Sequence, residues 1–463
     1  MTLGKSRPHP LQRRAFLAGS AALLLAGCAT KYSAPKAEVP DSFDAPSPAR
    51  QAQSGEWWKA FEDSNLEALL QAGRSRNLTI RQAVEAIGEA GANARMVGAG
   101  ALPQASIGAQ AGRGDSTGAG VITQTSGGFG NVSWVLDLFG SNANARKAAE
   151  ARLDASWLSA DATRLVIEGA IASAYTELRY NQAALALTRR SLESRRKSLE
   201  LTRKQVELGV ASRMDVLQAE QLVAESEANL PGYEVGFDQA LARLASLTAQ
   251  SSQSLRPALS KGGKQPRPRF NASVGLPAEV VRARPDVQLQ ERLFAASAYD
   301  VGVAKRAFLP SISLSGTIAP TRISGGGNVT PWSFGPSINL PIFSGGANRA
   351  NLKGAEARAA QAKLSWEATV LKAIEEVESA LAASNRDARN IAAQEKLVST
   401  ARQAVELART SYGLGEGSFM NVLDAERSYL GAQQGLAAAE RGRALNFISL
   451  GLAAAGGEGR PKG

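Results

Sequence analysis

An apolar stripe with a seven-residue period runs through each half of the chain. Ile171, Leu178, Leu185, Leu192, Leu199 and Val206 form the first, and Val377, Ser384, Ile391, Val398, Val405 and Tyr412 occupy the same frame 206 positions later. Ser384 alone breaks the large apolar or aromatic series. A heptad stripe of this length predicts a long helix whose seam packs against partner helices. Its recurrence at a fixed offset predicts an internal duplication. The flanks repeat as well. Ala101-Leu102-Pro103 and Phe308-Leu309-Pro310 each precede a Gly-rich stretch, Leu138-Phe139-Gly140 matches Ile342-Phe343-Ser344, and Gly209 through Glu220 matches Gly415 through Glu426. Each half reads as a helix, two strand-like segments, a long helix, a tight turn and a returning helix.

Proline placement agrees. None occurs between Pro103 and Pro231 or between Pro341 and Pro461, while Pro257, Pro266, Pro268, Pro277 and Pro285 crowd the region joining the halves. Interior Pro breaks helices, so two pairs of long helices around an irregular waist are expected. One helix over 141–208 would be about 100 Å long. The Gly-rich segments have the other period. Ile312, Leu314 and Ile318 alternate with Ser311, Ser313, Ser315 and Thr317, and Trp332, Phe334, Ile338, Leu340 and Ile342 alternate with Ser333, Gly335, Ser337 and Asn339. The first half repeats this more faintly through Ile107, Ala109, Ala111, Val132, Trp134, Leu136 and Leu138, and Pro336 argues against a regular ladder in its strand. One apolar and one small polar face read as membrane barrel strands with lipid outside and water inside, with a soluble sheet as the lesser alternative. Four strands cannot close a membrane barrel, whose smallest examples use about eight, so a barrel would have to be shared by several chains.

Composition adds an address. Lys5, Arg7, Arg13 and Arg14 precede the apolar stretch Ala15 to Ala26, as in a secretory signal too short to span a bilayer. Arg13-Arg14-Ala15-Phe16-Leu17 also fits a twin-arginine signal. Cys28 is the only cysteine, which rules out an intrachain disulfide. The net charge of +11 would suit nucleic acid, but four of those charges belong to the leader and an exported chain meets no genome. The dense basic run Arg189 to Lys204 reads as a solvated helix face. No metal-ligand cluster, nucleophile with a His partner or phosphate loop is present, so nothing points to an enzyme, cofactor or metal. Gly325-Gly326-Gly327 reads as a turn, and Asp286 after Pro285 as a helix cap. The expected organisation is a signal peptide 1–27, an N-terminal segment 28–64, a first repeat 65–260, a Pro/Gly-rich linker 261–276, a second repeat 277–455 and a flexible tail 456–463.

Several segments resemble one family. Leu25-Ala26-Gly27-Cys28 resembles the lipobox of bacterial lipoproteins, with Cys28 the acylated first residue and Ala29 resembling the pattern sorted to the outer membrane. With the duplicated halves, Gly275-Leu276-Pro277-Ala278-Glu279-Val280-Val281, Arg284-Pro285-Asp286-Val287 and Ala307-Phe308-Leu309-Pro310-Ser311-Ile312-Ser313-Leu314 resemble the outer membrane factor (TolC-like) family, and more narrowly its lipoprotein channels of multidrug efflux systems. The resemblance implies an α+β membrane protein. Three chains would give four strands each to a twelve-stranded outer membrane β-barrel, continued by a long α-helical barrel across the periplasm. It also implies a periplasmic adaptor (membrane fusion protein) and an inner-membrane efflux pump of the resistance-nodulation-division type. The chain itself would be a passive, lipid-anchored duct for small molecules.

The resemblance also implies a gate at the turns joining the long helices, where a Tyr on one hairpin bonds an Asp on its neighbour and acidic rings face the lumen. Asp215, Tyr412 and Asp424 match that pattern. Asn421 departs from it, since relatives often carry a second acid there, and so does Gly417, where some carry a basic constriction residue. The same two aspartates also suit helix starts on dipole grounds alone. Two other readings remain from the sequence: a pore-less coiled-coil lipoprotein spanning the periplasm, and an exit channel for protein secretion.

Overall fold

The computed structural model describes residues 33–35, 39–44, 56–115, 122–269 and 277–456. The signal segment, Cys28, residues 270–276 of the linker and tail residues 457–463 lie outside the described residues. A 3-10 turn at Trp57–Phe61 leads to α1 (Ser64–Arg76), α2 (Leu78–Ala99), β1 (Gln104–Asp115), β2 (Ile122–Leu136), α3 (Ser141–Glu207), α4 (Arg213–Leu247) and the short α5 (Ser252–Leu259). The second half follows with α6 (Pro277–Ala283), α7 (Pro285–Arg306), β3 (Ser311–Ile318), β4 (Thr321–Ile323), β5 (Gly327–Val329), β6 (Trp332–Asn339), α8 (Ala347–Gly413) and α9 (Phe419–Ala454).

The duplication is reproduced by the elements. α3 and α8 are both 67 residues long, about 100 Å each. α8 starts 206 residues after α3, and α9 starts 206 after α4 (141 to 347, 213 to 419). α4 continues through Pro231. Among the described residues no helix is long and apolar enough to cross a membrane.

The chain divides into two units. The first holds Ala86–Trp157 and Leu289–Glu367 and contains the sheet. Its antiparallel order is β1-β2-β3-β6, with β4 also on β2 and β5 on β4. β4 keeps the register of β3 against β2, and β5 that of β6 against its neighbour. They are therefore continuations of two long strands, interrupted around Pro320 and Pro331, where a ladder donor is missing. Four strands per chain is the effective number, as expected. Gly325 and Gly327 turn β4 into β5 at φ +83° and +87°, as the triple-Gly reading anticipated. Pro336 lies inside the ladder opposite Leu314, which the sequence argued against. β6 is paired within the chain only to β3, and Pro is tolerated on such an edge strand.

Residues opposite one another share a face, so the register sorts the sheet. One face carries the rows Leu136–Ile312–Ile338, Trp134–Leu314–Pro336, Ala105–Val132–Gly316–Phe334 and Ile107–Gly130–Ile318–Trp332. The other carries Ser106–Asn131–Thr317–Ser333 and Ser133–Ser315–Gly335, with Val135 opposite Ser313, Phe129 opposite Gly108, Ile323 opposite Thr125 and Val329 opposite Thr321 as its larger apolar members. In one chain the apolar face is bare: Ile107 is 93% exposed, Trp332 75% and Phe334 69%. α2, α3, α7 and α8 all join one end of this sheet; the β1–β2 and β4–β5 turns form the other.

The second unit, Ala37–Glu85, Leu158–Gln288 and Ala368–Gly463, holds the main core. Ile171, Leu178, Leu192 and Leu199 of the first stripe and Val377 and Val405 of the second are buried. Around Ile171, Leu178 and Val377 pack Tyr175, Leu241, Leu244, Leu381 and Ile448. Trp57, Trp58 and Phe61, read as part of an N-terminal extension, sit in that core, with Phe61 edge-on to Phe447 at 5.3 Å. The described part of the linker is packed too. Arg269 N–H donates to the Ala60 carbonyl (3.0 Å), and the buried Gln265 amide donates to the Ala437 carbonyl (3.1 Å). Asp286 caps the start of α7, accepting from the Val287 N–H (2.9 Å), and is an ion-pair partner as well. It takes two bonds from the buried Arg284 guanidinium (2.7 and 3.0 Å), which also reaches Glu376 (2.6 Å). Burial pushes the Asp286 carboxyl pKa up, but the Arg284 bonds outweigh it and the net shift is downward.

Candidate functional site at the hairpin turns

The two helix-to-helix turns share one geometry. Gly209 (φ +74°) ends the first long helix and Gly415 (φ +78°) the second, the left-handed position that glycine supplies at a helix C-terminus. Val210 N–H returns to the Gln205 carbonyl (2.9 Å), as Glu416 N–H does to that of Ser411 (3.0 Å). A serine then starts each returning helix. Ser418 Oγ accepts from Met420 N–H (3.1 Å). Ser212 and Asp215 form a reciprocal capping box, in which Asp215 accepts from the Ser212 N–H (2.9 Å) and hydroxyl (2.8 Å).

Leu199, Val216, Ala219, Leu222, Phe419, Val422 and Leu423 form a separate apolar cluster that joins the hairpins, with Val206, Ala408 and Tyr412 against it. The Tyr412 ring lies 5.1 Å from that of Phe419. Its hydroxyl donates to Gln205 Oε1 of the first hairpin. Burial raises the Tyr412 pKa, and the nearby Asp215 carboxylate raises it further. Within one chain, Tyr412 thus senses Asp215 electrostatically while Gln205 holds its hydroxyl. Asn421 and Asp424 are exposed on the returning helix, and Asp424 meets Arg427 at 3.5 Å. At Gly417 a Cβ would stand 3.2 Å from the Ser411 Cβ, tight for any side chain.

One element of the site is invisible to the motif reading. Glu426, only 6% exposed, accepts from Arg409 (2.5 Å) and Ser198 (3.0 Å), and Arg409 also donates to Ser194 (2.6 Å). The second hairpin is thereby bonded to α3 through a nearly dry carboxylate. The signal was present in the sequence: Glu426 falls seven residues after Phe419 on the buried side of α9, where an apolar residue is expected. Arg195 is a second correction. Taken as part of a solvated face, it is buried and donates to the Leu222 carbonyl (2.9 Å) and Ser226 Oγ (2.7 Å), linking α3 to α4. Desolvation lowers its pKa. Beside these groups a pocket of about 250 Å3 is lined by Ser194, Ser198, Arg409, Tyr412 and Phe419 among others. No group of three or more metal-ligating side chains occurs among the described residues.

A two-faced antiparallel sheet joined at one end to very long helices, with paired glycine turns far along them, defines an outer membrane channel of the efflux type. The comparisons agree: the chain belongs to the outer membrane efflux protein family, whose model matches residues 69–250 and 276–456, one stretch per repeat. Nodulation protein T of Rhizobium leguminosarum bv. trifolii is 37% identical over 458 residues, covering 94% of this chain and 96% of that protein. Outer membrane protein OprJ of Pseudomonas aeruginosa is 32% identical over 427 residues, 88% of each chain. Among solved structures, the outer-membrane channel OprN superposes with a TM-score of 0.83 at 29% identity, over 93% of this chain and 99% of that one. The protein is an outer membrane channel component of an efflux system that extends into the periplasm. Members of this family are trimeric ducts that work with an adaptor and an inner-membrane pump; it is a transport family, not an enzyme family.

Proposed function

We propose that three copies of this chain close one twelve-stranded barrel and act as a passive, acylated duct for small molecules. A periplasmic adaptor would dock it to an inner-membrane pump of the resistance-nodulation-division type. The observation that carries this reading is the sheet: four strands sorted into an apolar and a hydroxyl-lined face, with β1 and β6 left as open edges in the single chain. Open edges demand partner strands, and closure by neighbouring copies supplies them while turning the bare apolar face to lipid. A pore-less spacer requires no such sheet. In this reading the inner-membrane pump selects the cargo, and the described strand residues on the hydroxyl face are uncharged.

The same reading assigns the hairpin turns to the resting gate. Asp215, Tyr412, Asn421 and Asp424 are its turn residues, and Gln205 and the Arg409–Glu426–Ser198 bridge tie the two hairpins. Opening requires the second hairpin to leave the first, which breaks those bonds. Cys28 is the acylation site that holds the chain to outer membrane lipid. Purified protein added to a planar bilayer tests the duct: discrete conductance steps are expected. Bilayers that stay silent while the protein is shown to have inserted would favour the spacer.

A further inference from the structure

Cations are scarce in the sheet and lie on one side of it. Among the described strand residues Arg113 in β1 and Arg322 in β4 are the only ones. The register sets Arg113 opposite Gln124 and Arg322 opposite Ser126. Gln124 and Ser126 alternate in step with Gly130, Val132 and Trp134, so both arginines belong to the apolar, lipid-side face. Both lie beyond the Ile107–Gly130–Ile318–Trp332 row, at the end of the sheet opposite the four helices. Both are exposed, and neither has a hydrogen-bond or ion-pair partner among the described residues. Arg322 lines an open pocket of about 750 Å3 with Gln124, Ser126, Ser324 and Asn328. Asp115 closes β1 two residues past Arg113.

Membrane barrels keep charge in the lumen or beyond the hydrocarbon, because a charge facing lipid tails is destabilising. Here the described strand residues of the lumen face are neutral and the two cations face outward. The Arg322 row stands four residues past the last apolar row, about 14 Å along the strand and about 10 Å along the membrane normal at barrel tilt. Trp332 in that last apolar row marks the interface, where aromatic residues gather. The arginines therefore lie at the level of the outer-leaflet headgroups. We propose that Arg113 and Arg322 bind the phosphate groups of the phosphorylated glycolipid of the outer leaflet, which guanidinium groups grip through paired N–H bonds. Their Cα atoms lie two strands and one two-residue step apart, about 12 Å, so each takes its own phosphate on a doubly phosphorylated headgroup. The proposal rests on the barrel described above.

Nanodiscs of phosphatidylethanolamine holding the assembled protein and a trace of bisphosphorylated lipid A provide the test, with retained lipid counted by native mass spectrometry. Wild type should keep this lipid about tenfold better than dephosphorylated lipid A or phosphatidylglycerol. Arg113→Gln with Arg322→Gln should remove that preference, and the paired Lys replacements should restore part of it. Equal retention by wild type and the Gln variant, or no preference for the phosphorylated glycolipid in wild type, overturns the site. Conductance of the same preparations reads the barrel separately. A conducting protein without the lipid preference refutes only the site, whereas a non-conducting wild type removes the barrel and the site together.

Discussion

Replacing Arg409 by Met tests whether the bridge between the hairpins holds the channel closed. The side chain keeps its length, loses its charge and leaves Glu426 with Ser198 as its single donor. A hydrogen bond to a charged group contributes about 1.5 to 3 kcal/mol net. Arg409 is 45% exposed, so water would take over part of its role, and about 1 to 2 kcal/mol per chain is the discounted expectation. That corresponds to a closed state weakened roughly fivefold to thirtyfold in each chain. Open probability in planar bilayers is the readout, with the thermal stability of the assembled protein measured beside it. Because the cost lies in leaving a buried carboxylate short of donors, removing both partners should be milder. Arg409→Met with Glu426→Leu should recover much of the closed state. The double-mutant cycle should give a coupling of about 1 kcal/mol or more. Additive effects, with coupling below about 0.5 kcal/mol, would show that the bridge does not hold the gate.

Tyr412→Phe keeps the ring on Phe419 and deletes only the donor to Gln205, about 0.5 to 1.5 kcal/mol. Conductance events should become more frequent at unchanged melting temperature, and wild-type recordings would reduce Tyr412 to packing. Cys28→Ser should lose incorporation of a labelled fatty acid and leave an unprocessed or mislocalised chain; undiminished label would remove the anchor. Leu314→Arg puts a charge on the apolar row between Trp134 and Pro336, at about 2 to 4 kcal/mol per chain if it lies at mid-membrane, while Ser313→Arg faces water. Assembly yields measured on gels should separate the two, and equal yields would contradict the face assignment.

Most of the fold was legible because two periods coexist in the sequence. The heptad stripe from Ile171 and its copy from Val377 fixed the long helices, and the alternation around Leu314 fixed the sheet faces. The strands' continuation past Pro320 and Pro331 was not legible, because a register can persist through a missing donor when neighbouring pairs hold. The N-terminal aromatics were missed because Trp57, Trp58 and Phe61 have no period of their own; their burial depends on tertiary contact with α9. At the hairpins, the glycines could be read from turn chemistry, and Tyr412 from its place at the end of the second stripe and from the family pattern. The partners could not. Gln205 and Arg409 look like ordinary surface residues, and Arg195 hid inside a run of genuinely exposed cations. Only the misfit of Glu426 on an apolar stripe announced a buried bridge.

The central claim is that three copies of the sheet enclose water with their hydroxyl face and meet lipid with their apolar face. Single cysteines at 312, 313, 314 and 315 in β3 test it most directly, each probed with a charged, water-soluble thiol reagent during recording from a planar bilayer. The account predicts that the reagent lowers the current at Ser313→Cys and Ser315→Cys and leaves Ile312→Cys and Leu314→Cys untouched. Currents that fall at all four positions, at none, or at the even ones would contradict it.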